Sequence, residues 1–534
     1  MCGIWARLGF QTTPNNTQKL VNKLEARGPE GTKIMEVTEN LTFGFTRLAI
    51  NGLSDAGMQP YTKGAITWIC NGEIYNSKSI ESSLGIKGAG SDCECIGDLY
   101  LRNRENPEGF VRALDGVFAL VLYDGDLERL IVARDPYGVR PLYIGMLPSC
   151  GPTLTFSSEM KAQVLEFEKI EAFLPGHLQI YDTVHMKLLE DIKYHTIPWI
   201  TNPMFHPDQV LGFEDASIAL RFALEEAVHK RMLTDRPVAA LLSGGLDSSL
   251  IAALVQKNLN QLGRPPLKTF SIGFEGSSDV AHARIVADWI GSDHTEIIMT
   301  PDEFFNAIPT VIKAIESFDT TTVRASTGNY LIAKKIRELT ECKVVFNGDG
   351  SDELFGGYLY FNNAPNDEAF HAETGRLLKD IHYFDVLRSD RSISANGLEA
   401  RTPFLDKQFV AVVRSIHPKF LRPVKGKQVE KYILRKAFDD GVTLPDEILW
   451  RRKEAFSDGV STPEKAWFQE IQERVEALVP PDSNTRTSPE DYYYKSIFIT
   501  EYGLGTMNAA APYRWMPRWC PETEDPSART LSAY

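Results

Sequence analysis

Val238-Ala-Ala-Leu-Leu-Ser-Gly-Gly-Leu-Asp-Ser-Ser-Leu250 decides the fold of the larger part of this chain. An apolar run breaks at Ser243-Gly244-Gly245. Leu246, Leu250, Ile251, Leu254 and Val255 then recur at the spacing of one helical face. Strand, glycine turn and helix start together cradle phosphate. Glycines let main-chain N–H groups come close to an anion, and the free amides at a helix N-terminus add a favourable dipole. No Lys-Ser/Thr pair follows at the spacing of an ordinary P-loop. Asp247 stands inside the loop instead, and a carboxylate beside polyphosphate is repulsive unless Mg²⁺ lies between them. Taken alone, these residues also allow a plain strand–helix turn.

Working outward, apolar runs and helical spacings alternate. Residues 267–274 read as a strand, 279–290 as a helix, and Lys343-Val-Val-Phe-Asn347 as a strand ending in Gly348-Asp-Gly-Ser-Asp-Glu353. Helical spacing over 216–232, carried by Ile218, Leu220, Phe222, Leu224 and Val228, precedes the first strand. Strands separated by helices predict an α/β, doubly wound parallel sheet with ligands at the C-terminal ends of its strands. Both glycine loops sit at such ends. That places Asp247 and Asp352 on either side of one pyrophosphate, each a candidate Mg²⁺ ligand; by itself Asp352 also reads as a helix N-cap.

With 534 residues the chain is too long for one ordinary core. Between Tyr194 and Phe213 it loses all period and carries three prolines. A first domain over 2–195, a linker over 196–212 and a second domain over 213–534 are therefore expected. Apolar residues make up 43% and charged residues 24%, the balance of a soluble globular protein. No run of about 18 apolar residues suggests a membrane span, and Met-Cys-Gly-Ile-Trp lacks the pattern of a secretory leader. A net charge of −14, from 57 Lys and Arg against 71 Asp and Glu, argues against a general nucleic-acid binder. Seven scattered cysteines fit reduced thiols in a cytoplasmic compartment, not a disulfide framework.

Cys2 is the other focus. After removal of Met1 it carries a thiol and an α-amine on one carbon. The amine's reference pKa of about 8 lies near the thiol's of about 8.5, so the amine can serve as the thiol's base. Arg27-Gly-Pro-Glu30, Phe45-Thr-Arg47-Leu-Ala-Ile50, Gly57-Met-Gln-Pro60 and Asn71-Gly-Glu-Ile-Tyr-Asn76 follow in order. Then come Gly90-Ser-Asp92-Cys-Glu94, Leu114-Asp-Gly-Val-Phe-Ala119 and Arg134-Asp-Pro-Tyr-Gly-Val-Arg-Pro-Leu142. Phe156-Ser-Ser-Glu-Met-Lys161 and Leu174-Pro-Gly-His177 close the series. Alternation at Phe43, Phe45, Arg47, Ala49 and at Phe118, Leu120, Leu122 predicts strands.

Over roughly residues 2–180 this ordered string resembles the N-terminal-nucleophile glutaminase domain of the class II amidotransferases. The resemblance implies an α+β fold of two stacked antiparallel sheets between helices (αββα). It gives Cys2 the role of nucleophile. Arg47, with Leu48 and Ile50 beside it, is expected to bind glutamine through its α-carboxylate, which suits a guanidinium fork. Glu73 and Asp92 are expected to take its ammonium group. Asn71 and the N–H of Gly72 would form the oxyanion hole.

Ser243-Gly-Gly-Leu-Asp-Ser-Ser249 resembles the pyrophosphate loop of the ATP pyrophosphatase superfamily, whose members transfer AMP and release pyrophosphate. Further matches are Glu316-Ser-Phe-Asp-Thr-Thr-Thr-Val-Arg-Ala-Ser326, Gly356-Gly-Tyr-Leu-Tyr-Phe361 and Asp385-Val-Leu-Arg-Ser-Asp-Arg391. Gly397-Leu-Glu-Ala-Arg-Thr-Pro-Phe-Leu-Asp406, Leu449-Trp-Arg-Arg-Lys-Glu-Ala-Phe-Ser-Asp-Gly459 and Asp525-Pro-Ser-Ala-Arg-Thr530 complete them. With the first domain they resemble glutamine-dependent asparagine synthetases over nearly the whole chain, closest to the eukaryotic branch. The resemblance implies ATP, Mg²⁺, aspartate and glutamine as small-molecule partners. It also leaves a homodimer open. Ser243, Gly244, Gly245, Asp247 and Ser248 would hold pyrophosphate; Leu242, Ile272, Asn347 and Gly348 would line the nucleotide site. Lys453 would stabilise charge on the phosphate, and Thr321, Thr322 and Arg324 would shape the aspartate side.

Two departures from that family stand out. Ala26 replaces a His near the expected thiol pocket, with little effect expected. Asn347-Gly-Asp349 replaces Ser-Gly-Glu, and the family Glu faces the acyl-adenylate. Asp349 is one methylene shorter, so slower amide formation and looser coupling of glutamine use to asparagine made are expected, since shifts of about 1 Å cost about 10²-fold in rate. Amidation of a different carboxylate, and a silent sensing protein on the same scaffold, are the competing readings.

Overall fold

The structure, a computed structural model, describes residues 1–534 apart from 87–89, 148–152, 165, 199–210, 463–464, 480–487, 522 and 528–534. Most of the expected linker and the end of the Asp525–Thr530 motif therefore lie outside the described residues.

Two six-stranded antiparallel sheets stack in the first domain. From edge to edge, one runs Lys169–Ala172, Tyr143–Leu147, Thr153–Ser157, Gly3–Leu8, Leu41–Thr46, Thr32–Thr38. The other runs Lys187–Lys193, His177–Asp182, Arg129–Arg134, Gly116–Asp124, Ile66–Ile74, Tyr61–Lys63. Between them Ile4, Ala6, Leu8, Phe43 and Phe45 of the first sheet meet Ile69, Val121, Leu130 and Val132 of the second. The outer faces need their own cover. Helix Pro14–Asn22, capped by Thr13 and begun by Pro14, lays Leu20 and Val21 on Trp5. Helices Cys95–Arg102 and Pro107–Ala113 lay Ile96, Leu99 and Phe110 on Trp68, Leu120 and Leu122. Gly3–Leu8 is buried along its whole length because both of its faces are covered.

One strand is shorter than its alternation suggests. Leu41–Thr46 ends before Arg47, which makes only an isolated bridge with Pro29. Leaving the ladder turns Arg47 and Leu48 beside Cys2, because Gly3 pairs with Thr46 in the register.

The second domain is built on a five-stranded, wholly parallel sheet. Its order is Asp293–Ile298, Lys268–Gly273, Val238–Leu241, Val344–Phe346, Glu399–Arg401. Strand order reverses between Val238–Leu241 and Val344–Phe346, so the loops that follow them diverge around a crevice suited to ligand. Helix Phe213–Lys230 packs through Ala216, Leu220, Leu224, Ala227 and Val228. Ile218 and Phe222, counted above in its apolar face, point outward at 68% and 65% exposure. Both lie on the side that carries Glu214, Arg221, Glu225 and Glu226, away from the buried stripe of Leu220, Leu224 and Val228.

The domains share their cores. On one face of the parallel sheet, Leu48, Ile50, Val117 and Tyr137 join Leu220, Ala240 and Phe346. On the other, Met1, Tyr143 and Met160 join Phe270, Val345 and Ala400. Between these apolar layers lies a buried ionic lattice. Arg27 contacts Glu159 at 3.0 Å and Asp390 at 2.7 Å, and Arg391 contacts Glu316 at 2.7 Å. Arg140 lies 3.5 Å from Glu399, and Arg401 2.9 Å from the same carboxylate. Removing one member of such a set leaves an uncompensated charge, at about 3–5 kcal/mol.

Candidate active site

Cys2 precedes the first strand, and its Sγ lies 3.5 Å from the Leu48 N–H, which donates to it. Arg27 donates through Nε to the Cys2 carbonyl at 3.0 Å. Burial pushes the thiol up to about 11 and pushes the terminal amine, on Met1, down to about 5. With Met1 in place this amine donates to the Leu398 carbonyl at 3.1 Å. Ala26, expected near the thiol, is exposed to solvent; Arg27, the next residue, is the one turned inward.

Asn71 and Glu73 share one face of the strand Ile66–Ile74. The side-chain N and O of Asn71 are buried without a hydrogen-bond partner. Leaving both unpaired is costly, by about 1–3 kcal/mol for each group, unless a ligand satisfies them. Glu73 accepts from Asn51 Nδ2 at 2.5 Å and faces Arg401 at 3.2 Å. Asp92 accepts from the Ile74 N–H at 2.7 Å. Burial raises both carboxyls, Glu73 the further, so a bound cation is what would ionise them. Arg47 reaches the Gly52 carbonyl at 2.5 Å, and a Cβ on Gly57 would lie 2.3 Å from its Nη2. Leu48 and Ile50 are buried beside it. Gly72 pairs with Phe118, where a Cβ would strike the Val117 carbonyl at 2.2 Å.

The second centre is a cavity of about 250 Å³ at the strand-order reversal. Leu242 and Ile272 line its buried floor. The Ser243 N–H donates to Ser248 Oγ at 3.2 Å, and the Gly245 N–H donates to Ser243 Oγ at 3.4 Å. Gly244 takes φ +68°, and a Cβ there would lie 2.4 Å from His282 Cβ. The two loops touch at Gly348, where a Cβ would lie 2.8 Å from Asp247 Cβ.

Asp247 and Asp352 face each other across two lysines. Lys431 Nζ is 2.5 Å from Asp247 and 2.6 Å from Asp352, and Lys453 Nζ is 2.7 Å from Asp352. Burial alone would raise Asp352, yet Lys431 and Lys453 hold it well below the usual carboxylate range. Two convergent carboxylates beside phosphate-binding amides are a donor set that Mg²⁺ takes. Lys431 carries no sequence signal; in Lys425-Gly-Lys-Gln-Val-Glu-Lys431 it reads as one more surface charge.

Asp349 lies 3.2 Å from Arg388 through Oδ1, and its Oδ2 is buried without a hydrogen bond. Asn347, which lines the cavity, donates from Nδ2 to Ser389 Oγ at 2.6 Å. Thr321 and Thr322 begin helix Thr320–Leu339, and both hydroxyls donate to Asp319. Arg324 lines the same cavity, and its guanidinium is paired with Glu490 at 2.5–2.8 Å and Asp525 at 2.8–2.9 Å, an ionic clamp on the C-terminal segment.

Comparison with known proteins agrees with both centres. Residues 1–202 match the family model described as a glutamine amidotransferase domain, and residues 219–370 and 362–519 match asparagine synthase. A Gallus gallus protein named asparagine synthetase [glutamine-hydrolyzing] is 40% identical over 567 residues, spanning 100% of this chain and 99% of its own. Relatives of the same name from Homo sapiens and Rattus norvegicus are 40% and 41% identical, with the same coverage. Similarity at this level over the whole length means that the chain belongs to the glutamine-hydrolysing asparagine synthetase family.

Proposed function

We propose that the chain makes L-asparagine from L-aspartate, ATP and nitrogen taken from L-glutamine. The observation that carries this reading is the buried, unpaired Asn71 amide on the strand that also bears Glu73, in the domain that holds the Cys2 thiol and whose core continues into that of the Asp247–Lys431–Asp352 centre. With Met1 removed, the α-amine of Cys2 takes the thiol proton and returns it to the leaving nitrogen. The thiolate attacks the glutamine side-chain carbonyl, Asn71 and the Gly72 N–H stabilise the oxyanion, and ammonia leaves. Water then releases glutamate from the thioester. Arg47 holds the glutamine carboxylate, and Glu73 and Asp92 its ammonium.

In the second centre the aspartate β-carboxylate attacks the α-phosphorus of ATP, giving β-aspartyl-AMP and pyrophosphate. Ser243, Gly244, Gly245 and Ser248 cradle the departing pyrophosphate, and Lys431 and Lys453 offset its charge. Asp247 and Asp352 are the residues that would hold Mg²⁺, which supplies further charge neutralisation of the phosphates when bound. Asp349 faces the acyl group, to which ammonia then adds, releasing AMP. No helix among the described residues is long and apolar enough to cross a membrane, and the six described cysteines are free thiols. Both facts support a cytoplasmic location. A homodimer is the assembly to test by sizing.

The test is asparagine formation from glutamine, aspartate and Mg²⁺-ATP with the wild type and Cys2→Ala. Ammonium should restore synthesis to Cys2→Ala, with AMP as the nucleotide product. ADP in its place would sink the reading.

A further inference from the structure

The strand Glu399–Arg401 forms one edge of the parallel sheet, with Arg401 opposite Phe346. Glu399 and Arg401 lie two apart and so share a face, and both meet the first domain. The Arg401 side chain is fully buried. Its Nε lies 2.9 Å from Glu399, and its Nη1 donates to the carbonyls of Arg231 and Leu233, the latter at 2.7 Å. Its Nη2 lies 3.2 Å from Glu73 Oε2 but makes no hydrogen bond. The backbone of the same residue serves the other centre, because the Arg401 carbonyl accepts the Asn347 N–H at 3.1 Å.

We infer that Arg401 is a positioning residue that couples the two centres, so that glutamine in one and aspartate in the other change each other's affinity. This rests on the function proposed above. Glu73 Oε2 already accepts from Asn51 at 2.5 Å, and an arriving ammonium competes with the guanidinium for that oxygen. Glu399 is the alternative partner, already in contact through Nε. The carbonyls of Arg231 and Leu233 fix Nη1, so the guanidinium cannot simply swing away. Its displacement is passed to the three-residue strand and, through the Arg401 carbonyl, to Asn347. Asn347 in turn accepts the Asp349 N–H through Oδ1 at 3.3 Å, and Ser389 holds its other side-chain atom. A shift at Glu73 therefore ends at the carboxylate that faces the acyl group.

Cys2→Ala isolates the effect, since it lacks the thiol and leaves glutamine intact. Asparagine synthesis from ammonium is measured in this variant with and without glutamine, across aspartate concentrations. Saturating glutamine is expected to change the aspartate KM about fivefold or more, the usual lower scale of coupling between sites. Calorimetry should show aspartate and glutamine changing each other's Kd by one common factor, because linkage is reciprocal for binding. Adding Arg401→Lys keeps the charge but removes the fork; turnover with ammonium should survive while the glutamine response vanishes. A purely structural residue would lower turnover and leave the response intact. Failure of Cys2→Ala to use ammonium at all would refute the proposed function. Normal ammonium use without a glutamine response, or with one that Arg401→Lys retains, would overturn the coupling. If Arg401→Lys does not fold, Glu399→Gln replaces it. That change strands the guanidinium on Glu73, and an undiminished response again overturns the inference.

Discussion

Lys431 adopts φ +58°, a left-handed backbone rare for residues other than glycine, and sets its ammonium 2.5 Å from Oδ2 of Asp247. Such a conformation costs about 1–3 kcal/mol and persists only where its surroundings hold it. Here Asp352 supplies a second contact at 2.6 Å. Lys431→Ala should lower pyrophosphate release by about 10²-fold, the scale for losing one fixed electrostatic group. Glutamine hydrolysis should change less than twofold, because Cys2 lies in the other domain. Parallel loss of both activities would mean a collapsed fold instead.

Asn71→Ala removes the buried, unpaired amide of the first domain. Glutaminase kcat should fall by about 10²–10³-fold, while the KM for glutamine moves little. Synthesis from ammonium should persist. A rise in KM without a fall in kcat would assign Asn71 to substrate binding.

Asp349 is the chain's own variation on its family. With Oδ1 held by Arg388 at 3.2 Å and Oδ2 unpaired, a shorter arm stands where the family has Glu. Asp349→Glu should bring the glutamate-to-asparagine ratio closer to one, and Asp349→Asn should depress synthesis most. A ratio already at one in the wild type, worsening in Asp349→Glu, would show the reading of this position to be wrong.

Asp279 gives a pH signature. Burial pushes its carboxyl up to about 7, against a partial pull downward from Arg451 at 2.9 Å. The folded state thus keeps a proton that the unfolded chain has already lost above about pH 4. Stability from this group is full below pH 4 and is lost as pH rises to 7, at about 1.4 kcal/mol per pH unit at most. Denaturant titrations at pH 5 and 7 should show that slope, and Asp279→Asn should flatten it.

Arg324→Met should lower stability by about 3–5 kcal/mol, the scale for breaking a buried ion pair, through Glu490 and Asp525. The aspartate KM of the folded fraction should stay near that of the wild type. A KM rise at unchanged Tm would restore Arg324 to the substrate.

What the sequence made legible follows from which physics is local. Period-2 and helical spacing, with glycine loops at strand ends, located the parallel sheet and its crevice around Ser243 and Asn347. The ordered motifs placed Cys2, Asn71, Glu73 and Asp92 in one neighbourhood. Spacing says nothing about which residues meet across a domain boundary. Arg401 sat inside a quoted motif without a role, because its partners are Glu73 and the Arg231 carbonyl, far away in the chain. Spacing also did not show that Arg27, next to the exposed Ala26, is the residue turned inward to the Cys2 carbonyl. The pairing of Arg324 with Glu490 and Asp525 was likewise hidden, because those partners lie far along the chain.

The charged lattice of Arg27, Arg140, Arg391 and Arg401 has a further effect on how the protein can be taken apart. Each half, made on its own, would present a wet face of guanidinium or carboxylate groups whose counterparts belong to the other half. Nicking the chain near residue 205 should leave a complex that migrates as one body, whereas fragments produced separately should be poorly soluble until mixed. The two catalysts are thus not modules on a string; each is part of the other's interior.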